Sequence, residues 1–300
     1  MYDINKLYDA FSKKCECRLN EPMSKHTTFR IGGNADIVLY PDNEIVITEI
    51  IKYCKTENIP LKIFGKGSNI LVSDEGIRGA VIILDSRFSK LELISETVVS
   101  CQAGAAMSVI GEFACEHSLT GFEFGAGIPG TVGGAIYMNA GAYDGEMKDI
   151  VVSAKYIDAD GELHTLSKEE LKLGYRKSVF SDMNCCITEV VLDLKKGNKE
   201  EIRDKMNDLM HRRASKQPLN FPSAGSTFKR PVGYFAGTLI EQSGLKGYSI
   251  GGACVSEKHA GFVVNKGGAT SKDVLKLVEH IKKTVKANSG VELECEIKFI

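Results

Sequence analysis

The sequence predicts an α+β protein in which strands outnumber helices up to about residue 195. Short apolar runs of about four to eight residues, typical of strands, alternate with fewer segments whose apolar residues recur at helical spacing. An Asp160-Gly161 pair separates two such runs and indicates a hairpin. The 30 glycines are concentrated in connections, where the backbone must turn sharply or come close to a ligand.

The first third of the chain alternates helix and strand signals. Amphipathic spacing predicts helices over 1–20 and 44–57. The apolar side of the second is formed by Ile45, Ile47, Ile50, Ile51 and Cys54. Strands are predicted over 36–40, 61–64, 70–72, 80–84 and 97–101.

The rest of the chain begins with a helical segment, 108–117, and a glycine-rich stretch, 121–145. Strands are predicted over 151–158, 162–165, 186–193 and 291–300. Helices are predicted over 199–215, 237–243 and 271–287. The first of these carries Ile202, Met206, Leu209 and Met210 on one side. Two prolines mark 216–222 as a domain boundary.

Composition narrows the class of protein. A chain of 300 residues suits two or three modest cores, and a formal net charge of -1 gives no reason to expect nucleic acid or an anionic membrane as partner. No apolar run approaches the roughly 20 residues of a membrane helix, and the N-terminus lacks a secretory pattern. Nine scattered cysteines without C-x-x-C disfavour a metal site and indicate reduced thiols. We therefore expect a soluble cytoplasmic protein without a metal.

Two glycine loops carry the first functional signal. GAGIPG at 125–130 fits G-x-G-x-x-G, but four glycines and three β-branched residues follow, which disfavours the long helix of a Rossmann motif. GKGSN at 65–69 directly follows a predicted strand. Two such loops can offer backbone N–H groups to one pyrophosphate, although a connection without a ligand also fits either loop alone. A P-loop motif is absent from the sequence, and the two glycine loops predict a phosphate- or dinucleotide-binding enzyme.

Six motifs in order resemble one family. They are TTFRIGG at 27–33, GKGSNILVSD at 65–74, GIPGTVGGAIYMNAGAY at 127–143, YRKSVF at 175–180, SAGSTFKRP at 223–231 and LECEIKF at 293–299. Together they resemble the UDP-N-acetylenolpyruvoylglucosamine reductases, flavoenzymes of peptidoglycan synthesis. The resemblance implies FAD as cofactor, NADPH as reductant and UDP-N-acetylglucosamine enolpyruvate as the small-molecule substrate, with no obligate protein partner.

The resemblance also implies an architecture. It places an N-terminal helix and lead-in over 1–25, and then a vanillyl-alcohol-oxidase-type FAD-binding domain over 26–195, made of two α+β subdomains divided near 80–85. A connecting helix (196–215) and a smaller α+β substrate-binding domain (216–290) follow. The strand 291–300 is expected to return Glu296 to the cleft. Only 50 positions separate Arg176 from Ser226, which resembles the shorter variant that lacks a substrate-closing loop.

The two glycine loops are the cofactor-binding segments that the resemblance implies, which makes the G-x-G-x-x-G match coincidental. The expected cofactor-binding residues are Gly65, Lys66, Gly67, Ser68, Asn69, Ile70, Gly127, Ile128, Pro129, Gly130, Thr131, Gly133, Gly134, Ala135, Asn139 and Gly141.

Three catalytic residues follow from the resemblance rather than from local pattern. Ser226 by itself is typical of a turn, but the family has its proton donor here. Arg176 by itself is typical of a surface, but the family pairs this arginine with the substrate carboxylate. Alternation makes Glu296 a solvated strand residue, whereas the family motif makes it an active-site acid that assists proton delivery or stabilises the intermediate.

Some details of the motifs depart from the family. Cys295 stands where proline is usual and Lys298 where arginine is common, so any role of that arginine is in doubt. The cations Arg213, Lys216 and Arg230 are expected to bind the UDP diphosphate, although ordinary surface charge explains them as well. His259 fits a structural role better than a chemical one. Two other functions stay open: a flavin oxidase or dehydrogenase with another substrate, and a nucleotide-binding protein without activity.

Overall fold

The computed structural model describes residues 2–300. The helices are α1 (Ile4–Phe11), α2 (Glu44–Thr56), α3 (Met107–Glu116), α4 (Glu123–Ala126), α5 (Val132–Tyr137), α6 (Met147–Ile150), α7 (Lys199–Lys216), α8 (Ala236–Gln242) and α9 (Ser271–Ser289). Strands β1 to β9 are Glu16–Pro22, Asn34–Tyr40, Leu61–Phe64, Ile70–Leu71, Ile77–Ile83, Leu91–Leu93, Val98–Gln102, Leu119–Thr120 and Gly141–Ala142. Strands β10 to β18 are Gly145–Glu146, Val151–Ile157, Leu163–Ser167, Cys186–Asp193, Lys195–Lys196, Ser249–Ile250, Ala253–Val255, Val263–Asn265 and Lys298–Phe299. None of the helices within 2–300 is long and apolar enough to cross a membrane.

Two compact units divide the chain differently from the predicted domains. The first unit contains 1–19, 36–66 and 79–212, and the second contains 20–35, 67–78 and 213–300. The sequence placed 26–35 and 67–78 with the FAD-binding domain, but Phe29, Ile31 and Leu71 are buried in the apolar core that the C-terminal residues form. Such long-range packing leaves no local signal in the chain.

Two larger sheets build the first unit. An antiparallel sheet has the strand order β12-β11-β13-β7-β6, and it includes the predicted hairpin of β11 and β12. A second sheet has the order β1-β2-β5-β3, in which β3 runs parallel to β5 with Leu61 opposite Ala80. A few residues of β1, β2 and β5 are assigned to the second unit. One apolar core in the first unit joins α2 to both sets of strands.

The helix predicted over 1–20 is wrong beyond its first half. Asp3 caps α1, and Leu7 and Phe11, four residues apart, bury its apolar side. The chain then enters β1, a strand whose side chains are mostly exposed and which therefore lacks the apolar alternation that predicts a strand. In α2 the prediction is right, except that Ile45 is 72% exposed and Val46 is buried instead.

The second unit is a smaller α+β assembly. Strands β15, β16 and β17 form an antiparallel sheet, and α8 and α9 contribute to a separate apolar core. The strand predicted over 291–300 is mostly irregular. Its backbone N–H groups donate to different segments, at Thr227 for Glu296 and at Asn69 for Lys298, so no single partner strand runs along it. Only β18, parallel to β4, is regular.

Candidate active site

The two glycine loops contact each other in the first unit. The first loop leaves β3 at Gly65, and the second connects α4 to α5 through Thr131. A Cβ atom at position 65 would lie 2.1 Å from Thr131 Oγ1, so only glycine fits there. Thr131 forms an antiparallel bridge with Ala106, which fixes the second loop to the start of α3.

Both loops offer unpaired backbone donors. Within the described residues 2–300, no protein acceptor pairs with the N–H groups of Gly65, Lys66, Gly130, Thr131 and Gly134. Backbone N–H groups left without protein partners are the usual ligands of phosphate in glycine loops. The donor set and the bare glycine backbone of the first unit therefore fit the diphosphate of the expected flavin cofactor.

Other residues expected to bind the cofactor have structural roles. The Gly133 N–H donates to the Ala103 carbonyl at 3.0 Å, and a Cβ there would lie 2.8 Å from that of Ala103. The Ala135 N–H donates to the Thr131 carbonyl at 2.9 Å. The Ile128 N–H donates to the Gly125 carbonyl at 2.9 Å. These contacts hold the second loop in shape rather than leave donors for a ligand.

The rest of the first loop belongs to the second unit. Gly67 has a φ of +59°, and a Cβ there would lie 2.1 Å from the His26 carbonyl oxygen. The N–H groups of Gly67, Ser68 and Asn69 find no acceptor within the described part of the chain. The Asn69 side-chain amide donates to the Glu296 carbonyl at 3.2 Å, and Ile70 pairs with Lys298 through β4 and β18.

Backbone contacts bring the segments of Ser226 and Glu296 together. The Glu296 N–H donates to the carbonyl of Thr227 at 2.9 Å, one residue beyond Ser226. Thr227 is buried, and its hydroxyl accepts the Val263 N–H at 3.0 Å. A second bond, from the Lys229 N–H to the Glu294 carbonyl at 2.8 Å, joins the same two segments, which carry the predicted catalytic residues.

Glu296 is less exposed than the acidic residues near it in the chain. Glu292 and Glu294 are exposed, as alternation predicts, and so is Lys298. Glu296 lies on the same alternating face, yet it is half-buried. The strand pattern alone could not show this difference in burial.

Arg176 lies in a tight turn of the first unit. Gly174 and Lys177 exchange backbone hydrogen bonds of 2.9 and 3.2 Å, which leaves Tyr175 and Arg176 as the central residues. Arg176 has a φ of +53°, which is uncommon for a residue with a side chain. Its Nη2 donates to the Gly141 carbonyl at 3.3 Å.

The segment after this turn is anchored by its serine. Ser178 is fully buried, and its hydroxyl donates to the Tyr137 carbonyl at 2.8 Å. Tyr175 is 53% exposed, and the centre of its ring lies 5.2 Å from the Arg176 guanidinium carbon. Local packing and hydrogen bonding thus account for Ser178.

The expected substrate-binding cations lie in the second unit, as does Ser226. Arg213 and Lys216 end α7, and Lys216 is exposed. The Arg230 guanidinium carbon lies 3.9 Å from the centre of the Phe235 ring. Gln217, beside Lys216, was not predicted from the sequence, and its Oε1 is buried without a donor among the described residues.

His259 is structural. Its Nδ1 accepts the Gly261 N–H at 3.1 Å, and its ring packs edge-on against Phe262. Burial lowers the pKa of His259 below its ordinary value. Both observations favour the neutral imidazole and agree with the structural role expected from the sequence.

Known proteins resemble this chain over nearly its whole length. Residues 35–167 match the family described as FAD binding domain, and residues 217–300 match the C-terminal domain of UDP-N-acetylenolpyruvoylglucosamine reductase. The UDP-N-acetylenolpyruvoylglucosamine reductase of Clostridium perfringens (strain SM101 / Type A) is 51% identical, covering 99% of this chain and 97% of its own. That of Clostridioides difficile (strain 630) is also 51% identical, over 294 residues. The crystal structure of UDP-N-acetylenolpyruvylglucosamine reductase (MurB) from Thermus caldophilus has a TM-score of 0.81 and 35% identity, covering 95% of this chain and 98% of that one.

Proposed function

The chain belongs to the UDP-N-acetylenolpyruvoylglucosamine reductase family, and from that membership we propose its substrate, its product and the roles of its catalytic residues. It is an FAD-dependent oxidoreductase of peptidoglycan precursor synthesis. The proposed reaction reduces the enolpyruvyl group of UDP-N-acetylglucosamine enolpyruvate to the lactyl ether of UDP-N-acetylmuramate, with NADPH as the source of electrons.

The observation that carries this proposal is the pairing of two segments in the second unit. The Glu296 N–H donates to the Thr227 carbonyl, which joins the serine segment to the glutamate segment. A hydroxyl and a carboxyl on neighbouring segments suit a step in which a proton is delivered to carbon.

The cofactor is expected at the two glycine loops. Gly65, Lys66, Gly130, Thr131 and Gly134 carry the unpaired N–H groups that would hold its diphosphate. Bound FAD supplies the hydride chemistry between NADPH and the enolpyruvyl group. The glycines matter because a side chain at Gly65 would collide with Thr131.

The side chains supply the proton and the charge. In our proposal the Ser226 hydroxyl protonates the substrate carbon beside the carboxylate, where negative charge develops during reduction. Arg176 pairs with that carboxylate and stabilises the enolate, since a guanidinium can bind two carboxylate oxygens at once. Glu296 assists the proton delivery. Arg213, Lys216 and Arg230 supply positive charge for the UDP diphosphate.

The proposal extends to the setting of the enzyme. It acts on a small-molecule substrate, without an obligate protein partner, in the cytoplasm. The thiols of all nine cysteines are free, as suits a reducing compartment.

A visible absorbance spectrum of the purified protein under nitrogen tests the function. We expect a yellow protein that bleaches with NADPH and recovers its colour when UDP-N-acetylglucosamine enolpyruvate is added. Bleaching without recovery would keep the flavin and reject the substrate. A colourless protein that takes up no added FAD would reject the assignment of the glycine loops.

A further inference from the structure

The turn that carries Arg176 is held by a residue of the second glycine segment, Asn139. This asparagine is fully buried, with a φ of +41°. Its Nδ2 donates to the Gly174 carbonyl at 2.9 Å and to Glu146 Oε2 at 2.6 Å. Its Oδ1 accepts the Lys148 N–H at 2.9 Å.

These contacts use all of the hydrogen-bonding groups of the Asn139 side chain. An amide has two N–H donors and one carbonyl oxygen, and each is already paired within the protein. Both N–H donors of this fully buried side chain are therefore committed to groups of the protein. Cofactor binding by Asn139, which the resemblance implies, stays a prediction.

The Gly174 carbonyl is one of the two acceptors that define the Arg176 turn, since it also receives the Lys177 N–H. The left-handed backbone of Arg176 costs free energy, so its surroundings must hold it in place. Arg176 also reaches the Gly141 carbonyl, two residues beyond Asn139. The same short segment thus fixes both the backbone and the guanidinium of Arg176.

We propose that Asn139 is the positioning residue that orients Arg176 toward the substrate carboxylate; this inference rests on the function proposed above. Asn139 contacts neither substrate nor cofactor in this role. Its effect passes through the Gly174 carbonyl and the turn. An arginine displaced by about 1 Å would pair poorly with a carboxylate, and a misplacement of that size can cost roughly 100-fold in rate.

A double-mutant cycle tests the proposal in the full-length holoenzyme. Asn139→Asp keeps the acceptor for Lys148 but replaces both donors with an oxygen beside Gly174 and Glu146. We expect roughly a 10- to 100-fold loss in kcat/KM for the enolpyruvyl substrate, with flavin reduction by NADPH within about twofold of wild type. In the Arg176→Ala background, the same change is expected to cost less than about twofold.

Two further variants keep the test decisive. Asn139→Ala removes the donors without adding charge, and it replaces the aspartate variant if that protein fails to retain FAD. Asn43→Ala is the matched control, since it removes the side-chain hydrogen bonds of another asparagine in the same unit, which accepts the Val46 N–H and donates to Asp42 at the start of α2. It is expected to lower the midpoint of unfolding but leave both half-reactions unchanged.

Each other outcome overturns the inference. Equal losses with and without Arg176 would mean that Asn139 acts independently of that arginine. A matching loss in flavin reduction would assign Asn139 to the cofactor. Full activity of both Asn139 variants would deny it any role. If reduced wild-type protein is not reoxidised by the substrate, the proposed function itself fails, which the wild-type trace alone reveals.

Discussion

Ser226 is the residue on which the proposed chemistry depends most directly. We expect Ser226→Ala to bind FAD and to bleach with NADPH at the wild-type rate. Reoxidation by the enolpyruvyl substrate should slow by about 10²- to 10⁴-fold, because a positioned acid contributes that much. Stopped-flow absorbance separates the two half-reactions.

A nearby serine provides the control for this experiment. Ser223 lies in the same segment, and its contact with Thr28 uses the backbone carbonyl rather than the hydroxyl. Ser223→Ala should therefore turn over normally. Normal turnover of the Ser226 variant would remove the proton-donor role.

His259 should make the protein less stable in mild acid. Burial lowers the pKa of His259 below 6.5, the value that applies once the protein unfolds. As the pH falls below about 6.5, the unfolded state takes up a proton that the folded state resists, so the free energy of unfolding falls. The loss continues until the pH reaches the lower pKa of the folded state.

Urea unfolding at pH 7 and pH 5 measures this effect. His259→Asn keeps an acceptor side chain for the Gly261 N–H but cannot titrate. The variant should lose less stability than the wild type between the two pH values. Equal losses would show that His259 is not responsible.

The site residues also show which functional roles a local sequence pattern can predict and which it cannot. Ser226, Arg176 and Glu296 came from resemblance to a family, since a turn serine and a surface arginine have no distinctive pattern of their own. Glu296 belongs to an alternating stretch, and only the folded backbone separates its burial from that of Glu294. The role of Asn139 depends on a carbonyl 35 residues away, which no local motif encodes.

At the scale of elements, the segment 67–78 is attached to the start of α9 by one carboxylate. Asp74 accepts the Ser271 N–H at 2.7 Å and the Lys272 N–H at 3.2 Å. Burial raises the pKa of this carboxyl, but the hydrogen bonds from Ser271 and Lys272 outweigh it and lower the pKa overall. Asp74 therefore acts as a second cap for the helix, beside Thr270.

Removing this cap should destabilise the second unit. We expect Asp74→Ala to lower the free energy of unfolding by about 1 kcal/mol, the usual effect of losing a helix cap. Its exposed neighbour supplies the control, because Glu75→Ala should change stability by less than about 0.5 kcal/mol. If chemical unfolding gives the same midpoint for the two variants, Asp74 does not anchor the segment.

Elements with strong local signals were predicted closely. The bounds of β13 agree with the prediction, and α2 differs by a single residue at its end. In contrast, β1 has mostly exposed side chains and therefore lacks an alternation of apolar and polar residues. Strands β15 and β18 are only two residues long, which is too short for any periodic pattern. In the irregular stretch before β18, apolar and polar residues alternate as in a strand, and the apolar Leu293 and Ile297 are buried. Its backbone hydrogen bonds nevertheless go to several different segments rather than to one neighbouring strand.

At the scale of the whole molecule, the second unit should not fold from its C-terminal residues alone. The fragment 213–300 lacks Phe29, Ile31 and Leu71 of its core, and it lacks β4, the partner of β18. Losing several buried side chains costs several kcal/mol, which is comparable to the whole stability of a small domain. We expect an isolated fragment without cooperative unfolding in circular dichroism.

The complementary experiment adds the missing chain. Coexpression of 213–300 with 1–212 should restore cooperative unfolding. The fragment 1–212 contains the segments 20–35 and 67–78, which complete the core of the second unit. A cooperative transition in the isolated C-terminal fragment would contradict the prediction. Boundaries placed by composition alone, such as the prolines of 216–222, could not have revealed this dependence.

The interleaved segments have a consequence for how a ribosome makes this protein. Every residue of the first unit has been synthesised once the chain reaches residue 212, whereas 20–35 and 67–78 must wait for residues that come later. During that interval Phe29, Ile31 and Leu71 have no core to enter, and exposed apolar side chains are what chaperones bind and aggregates form from. A slow stretch of translation after residue 212 would lengthen this interval and so increase the exposure of these side chains.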